Sequence, residues 1–115
     1  MTVKEFYEEI KGDYQEVLKR LPSESFVKKL VKKYAEDGSC DQLVDSVEKD
    51  DWETAFRMAH TRKGIALNLG FDQLYQTSNE LTEALRGAKP LENYDLLEAV
   101  KKSHESIMKA IAKVE

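Results

Sequence analysis

Apolar residues along the 115-residue chain recur in steps of three and four, which is the spacing of buried faces on helices. Thr2 and Glu5 have capping-box spacing and Phe6 and Ile10 lie one turn apart, predicting a short helix over residues 2–11 that ends at Gly12. Asp13 and Glu16 repeat the start signal, and Tyr14, Val17, Leu18 and Leu21 carry an apolar stripe to Pro22. Ser23 opens a third helix, with Phe26, Val27, Leu30, Val31 and Tyr34 on one face and Lys28, Lys29, Lys32 and Lys33 on the other. Asp37-Gly38 breaks it, and Ser39 with Gln42 predicts a capping box for a helix that buries Leu43, Val44 and Val47. Asp50-Asp51-Trp52-Glu53 gathers carboxylates where a helix dipole favours them and opens a long central helix, which Asn68-Leu69-Gly70 ends.

Phe71, Leu74, Ser78, Leu81 and Leu85 form the next stripe, closed by Gly87 and Pro90, and the short turn at Gly70 makes this helix an antiparallel neighbour of the central one. From about Asn93 the stripe of Leu97, Val100, His104, Ile107, Ile111 and Val114 alternates steps of three and four, as bundle packing requires. The expected fold is all-α: an antiparallel four-helix bundle with additional short N-terminal helices, forming a single domain over 1–115.

The central helix departs from simple amphipathicity. At about 100° per residue, Gly64 lies about 40° and Lys63 about 60° around the axis from His60, so imidazole, cation and missing side chain share one face. Glycine inside a helix is about 0.5 to 1 kcal/mol worse than alanine, and a large residue at 64 would cover the ring. The group can therefore present an imidazole to another molecule and hold an anion placed on it. Trp52, Ala55, Met58, Ala59, Ile65, Ala66 and Leu69 gather on the opposite, core-facing side. Phe56 and Leu67 fall about 40° and about 20° to the other side of His60. They form either edge packing or an apolar rim of the kind that marks a docking surface.

Arg62 falls near the middle of the buried arc, where a charge must reach solvent or find a carboxylate, and Glu80, Glu83 and Asp95 are candidates by position. His104 sits in the apolar stripe with Ile107 and Met108 on its next turn, which marks it as a structural histidine.

Ala59-His60-x-x-Lys63-Gly64 followed by Asn68-Leu69-Gly70 resembles the signature of histidine phosphotransfer (Hpt) domains, and short length and helical patterning agree across nearly the whole chain. The resemblance implies that His60 is the phosphoacceptor, that Lys63 contacts the phosphoryl group and that Gly64 gives access to the imidazole. It implies docking of a receiver domain, from a response regulator or a hybrid kinase, with Phe56 and Leu67 in the contact. Magnesium would belong to the receiver. In that family a polar residue on the following helix often steadies the imidazole, and Ser78, Asn79 and Thr82 are the candidates here. Arg62 and Ile65 depart from the usual leucine and small residue, which leaves a second expectation: a helical module that docks a receiver without carrying phosphate.

Composition narrows the remaining classes. A net charge of -4 argues against nucleic acid as the main partner and leaves the lysine face as a solvated surface open to an acidic partner. The scattered glycines form neither a P-loop nor a dinucleotide loop, so a carrier without ATP binding or kinase activity is expected. Arg57 and Lys101 stand where the Glu-x-x-His of a di-iron bundle would need glutamate, and no metal or other cofactor is expected. The lone Cys40 excludes an internal disulfide. No apolar run approaches a membrane span or a signal-peptide core. The expected setting is cytoplasmic and reducing, and the expected state a monomer.

Overall fold

Seven α-helices make up the computed structural model, which describes residues 1–115: α1 (Val3–Ile10), α2 (Tyr14–Arg20), α3 (Glu24–Tyr34), α4 (Ser39–Glu48), α5 (Trp52–Leu69), α6 (Asp72–Leu85) and α7 (Asp95–Ile111). Four of their starts are fixed by the side chains that the spacing singled out. Thr2 and Glu5 exchange both bonds of a capping box, at 3.1 and 2.9 Å. Asp13, Ser23 and Asp51 accept from the backbone N–H three residues on, each satisfying a donor the first helical turn leaves free.

The start of α4 differs from expectation. Gly38 is its N-cap and no side chain caps it. Ser39 is already helical, its N–H donates to the Asp37 carboxylate at 2.7 Å, and its hydroxyl accepts from Arg62. The end of α1 also differs: the left-handed residue is Lys11, not Gly12. Gly12 is required by a close approach instead, since a Cβ there would stand 2.6 Å from the Gly70 carbonyl oxygen.

Helices α4 to α7 form the bundle, with α5 packed between α4 and α6, and α7 closing against α6 and α4. Ala55, Ala59 and Ala66 are fully buried on α5 and let its neighbours come close. The turn after α5 works as its glycine implied, with Gly70 at φ 69° and its N–H returning to α5 carbonyls.

The three N-terminal helices cover one end of the bundle and hold this turn. Tyr7 on α1 donates to the Leu69 carbonyl at 2.6 Å, and Arg20 on α2 donates to the carbonyls of Leu67 and Asn68 at 2.9 and 3.3 Å. A cation at those carbonyls also complements the helix dipole. Phe6, Tyr7, Tyr34 and Phe71 join edge to face or tilted, which ties α1 and α3 to the start of α6. On α3, Val27, Val31 and Tyr34 are buried as the stripe implied, but Phe26 is 38% exposed. No helix is long and apolar enough to cross a membrane.

Candidate functional site

His60 lies midway along α5 and faces solvent. Its ring is near that of Phe56 one turn earlier, with centroids 6.1 Å apart and planes tilted by 43°. Lys63 and Gly64 follow on the next turn, both half-buried. A Cβ built on Gly64 meets nothing within 4 Å. No neighbour inside the protein therefore needs glycine at this position, although glycine weakens the helix. The space it leaves is open to a second molecule.

Leu67 is 52% exposed beyond Gly64, while Phe56 is half-buried, so the two rim residues differ. Phe56 is also covered from α6: the Arg86 guanidinium carbon sits 5.5 Å from its ring centre, a cation–π distance. Arg86 in turn makes a two-pronged ion pair with Glu83, both contacts 2.9 Å. Arg86 was not singled out by its sequence, and Glu83 was considered only for Arg62. The antiparallel turn at Gly70 could have located them, because it brings the end of α6 beside the start of α5.

The polar residues of α6 raised as supports for the imidazole do not take that role in this structure. Ser78 and Thr82 are fully buried; the Thr82 hydroxyl donates to the Ser78 carbonyl at 2.6 Å, and the Ser78 hydroxyl has no partner. Asn79 is half-buried.

Arg62 lies on the other side of α5 and is 1% exposed. None of Glu80, Glu83 or Asp95 reaches it. It donates to the Ser39 hydroxyl at 2.9 Å, to the Tyr34 hydroxyl at 2.5 Å and to His104 Nδ1 at 3.0 Å, and its Nε has no partner. Since a guanidinium can only donate, His104 Nδ1 accepts in these bonds and the neutral ring carries its proton on Nε2. The Tyr34 hydroxyl then donates to the same nitrogen at 2.7 Å. Burial holds the His104 imidazole below its ordinary pKa, and the Arg62 charge pushes it the same way.

Burial also pushes the Tyr34 hydroxyl up to about 12, against the opposing effect of Arg62. Asp37 is linked to Arg62 through Ser39, which bonds both. Partial burial pushes Asp37 up, but the bonds from Ser39 and the field of Arg62 outweigh it and keep this carboxyl low. His104 is therefore structural, as its position suggested, but through a polar network rather than an apolar seat, and it stays half-buried beside a surface cavity of about 270 Å³ that Cys40 also lines. Cys40 is a free, buried thiol, which burial pushes up. Ile65 lines a separate shallow cavity with Leu30, Tyr34 and Leu69, on the side of α5 that meets α3.

An all-α bundle that holds one histidine open on its longest helix, beside a lysine and a glycine, has the architecture of a phosphoryl carrier. The chain belongs to the Hpt domain family, whose model matches residues 5–110. Domains of this family are phosphocarriers rather than kinases and interact with receiver domains in phosphorelays. No curated protein and no solved structure matched the chain.

Proposed function

We propose that this protein carries a phosphoryl group on His60, exchanged with the aspartate of a receiver domain. The observation that carries this reading is the open space over Gly64 beside an exposed imidazole, which nothing inside the chain requires. In the transfer, the unprotonated nitrogen of neutral His60 attacks the phosphorus of the receiver's aspartyl phosphate. The N–P bond forms as the P–O bond to aspartate breaks, and the carboxylate leaves with the electron pair. The other ring nitrogen keeps its proton or yields it to water. The protein contributes positioning and electrostatics. Lys63 supplies a charge-assisted hydrogen bond to the phosphoryl oxygens, of a kind worth about 1.5 to 3 kcal/mol. Magnesium belongs to the receiver.

Receiver docking uses Leu67, the exposed edge of Phe56 and the surface over Gly64, in a transient contact below about 1,200 Å². The protein acts as a cytoplasmic monomer without a cofactor of its own. A receiver-binding module that carries no phosphate rested on Arg62 and Ile65. Both side chains are engaged away from His60, Arg62 with Ser39, Tyr34 and His104 and Ile65 toward α3, so nothing at the histidine favours that alternative.

The test is phosphoryl transfer from a panel of chemically phosphorylated receiver domains, with acid lability of the product as the mark of phosphohistidine. At least one receiver should transfer acid-labile label to the wild type. Receivers that bind wild type and His60→Gln equally while labelling neither would point to the binding-only module instead.

A further inference from the structure

Phe56 has His60 near its ring on one helix and Arg86, the C-cap of α6, over it, with the Arg86 guanidinium 5.5 Å from the ring centre. The guanidinium is not free, because both its Nε and an Nη donate to Glu83 at 2.9 Å. Both side chains are about half exposed, so the pair forms in water and is weak enough to exchange partners. The Glu83 carboxyl is held low mainly by its bonds to Arg86, with a further contribution from Lys63, so the three charges share one field. A phosphoryl group on His60 would add about two negative charges to that field.

Resting on the carrier reading of His60, we infer that Arg86 is a second phosphoryl-binding cation, held by its place over Phe56, the ring that neighbours the imidazole, and by its ion pair with Glu83. When the phosphoryl group arrives, the guanidinium exchanges the Glu83 carboxylate for the phosphoryl oxygens, which it can bind with two parallel N–H donors. Lys63 approaches as a point charge from α5 and Arg86 as a planar fork from the C-terminal end of α6. Glu83 then acts as a competitor that limits how firmly the phosphoryl group is held, which suits a carrier that must give its cargo up again. No covalent step is added: the exchange is of ion pairs only.

The test loads the protein directly with phosphoramidate, a small donor that phosphorylates imidazole without any receiver, and follows the phosphohistidine ³¹P resonance as pH is varied to either side of the ordinary histidine value of about 6.5. The measured quantity is the proton affinity of the phosphorylated imidazole. A nearby cation lowers this affinity and a nearby carboxylate raises it. Arg86→Gln should raise it about twofold to fivefold, the range expected of exposed charge pairs; Glu83→Gln should lower it, and Arg86→Lys should stay near wild type. Low ionic strength should enlarge the differences. A wild-type signal whose midpoint is the same in Arg86→Gln would overturn the inference and leave the carrier reading standing. Absence of any phosphohistidine signal from wild type would overturn both.

Discussion

The two histidines of this chain stand in opposite surroundings. His60 is exposed on α5 with an open space one turn on. His104 is half-buried on α7, and its Nδ1 receives bonds from both Tyr34 and Arg62. A nucleophile needs a free lone pair and an approach path, and only the first site has them. A packing group needs its polar atoms satisfied, and His104 uses its acceptor nitrogen to satisfy a buried guanidinium. The same side chain serves different ends because one helix face is kept clear and the other is filled.

The largest effect expected from breaking this contrast lies on the filled side. Arg62→Ala removes the donor shared by Ser39, Tyr34 and His104 and opens a cavity, and it should lower unfolding stability by about 2 to 4 kcal/mol in urea titration. Arg62→Met keeps the packing of the stem while removing a charge that no carboxylate contacts, so it should stay within about 1 kcal/mol of wild type. Equal damage from the two would mean that the charge itself stabilises the fold.

On the open side, Gly64→Gln should have a double signature. Phosphoryl transfer from a receiver should slow by about tenfold or more, equivalent to about 1.4 kcal/mol in the barrier. Stability should rise by about 0.5 to 1 kcal/mol, because a helical glycine is replaced and no neighbour crowds the new Cβ. Normal transfer in this variant would remove the steric role of Gly64.

The smallest effect is in pH dependence. The folded state holds His104 below its ordinary pKa, so as pH falls the unfolded chain takes up a proton first. Stability should therefore be fully present above the ordinary histidine value of about 6.5 and decline below it. His104→Gln should flatten the stability profile between about pH 7 and pH 5. An unchanged slope would mean that the ring is not held neutral by Arg62 and burial.

Much of this was readable from residue spacing. The caps at Thr2, Asp13, Ser23 and Asp51 are local, decided within one helical turn, and so are the faces of α5 to α7. The juxtaposition of His60, Lys63 and Gly64 is also a matter of one helix. What escaped depends on contacts between helices. Arg62 was recognisable as a charge in a buried arc, but its partners come from α3, α4 and α7, and none is a carboxylate. Ser39 has the spacing of a cap, yet its hydroxyl serves Arg62 from a helix away, a choice that local pattern does not reveal. Arg86 reaches Phe56, one turn before His60, only through the antiparallel register of α5 and α6.

The most direct measurement is to phosphorylate wild type, His60→Gln and His104→Gln from the same receiver and compare acid-labile label, with circular dichroism confirming that each is folded. Label equal to wild type in His104→Gln and none in His60→Gln is the predicted result. Label retained by folded His60→Gln, or lost from folded His104→Gln, would contradict the assignment of the carrier site to the open face of α5.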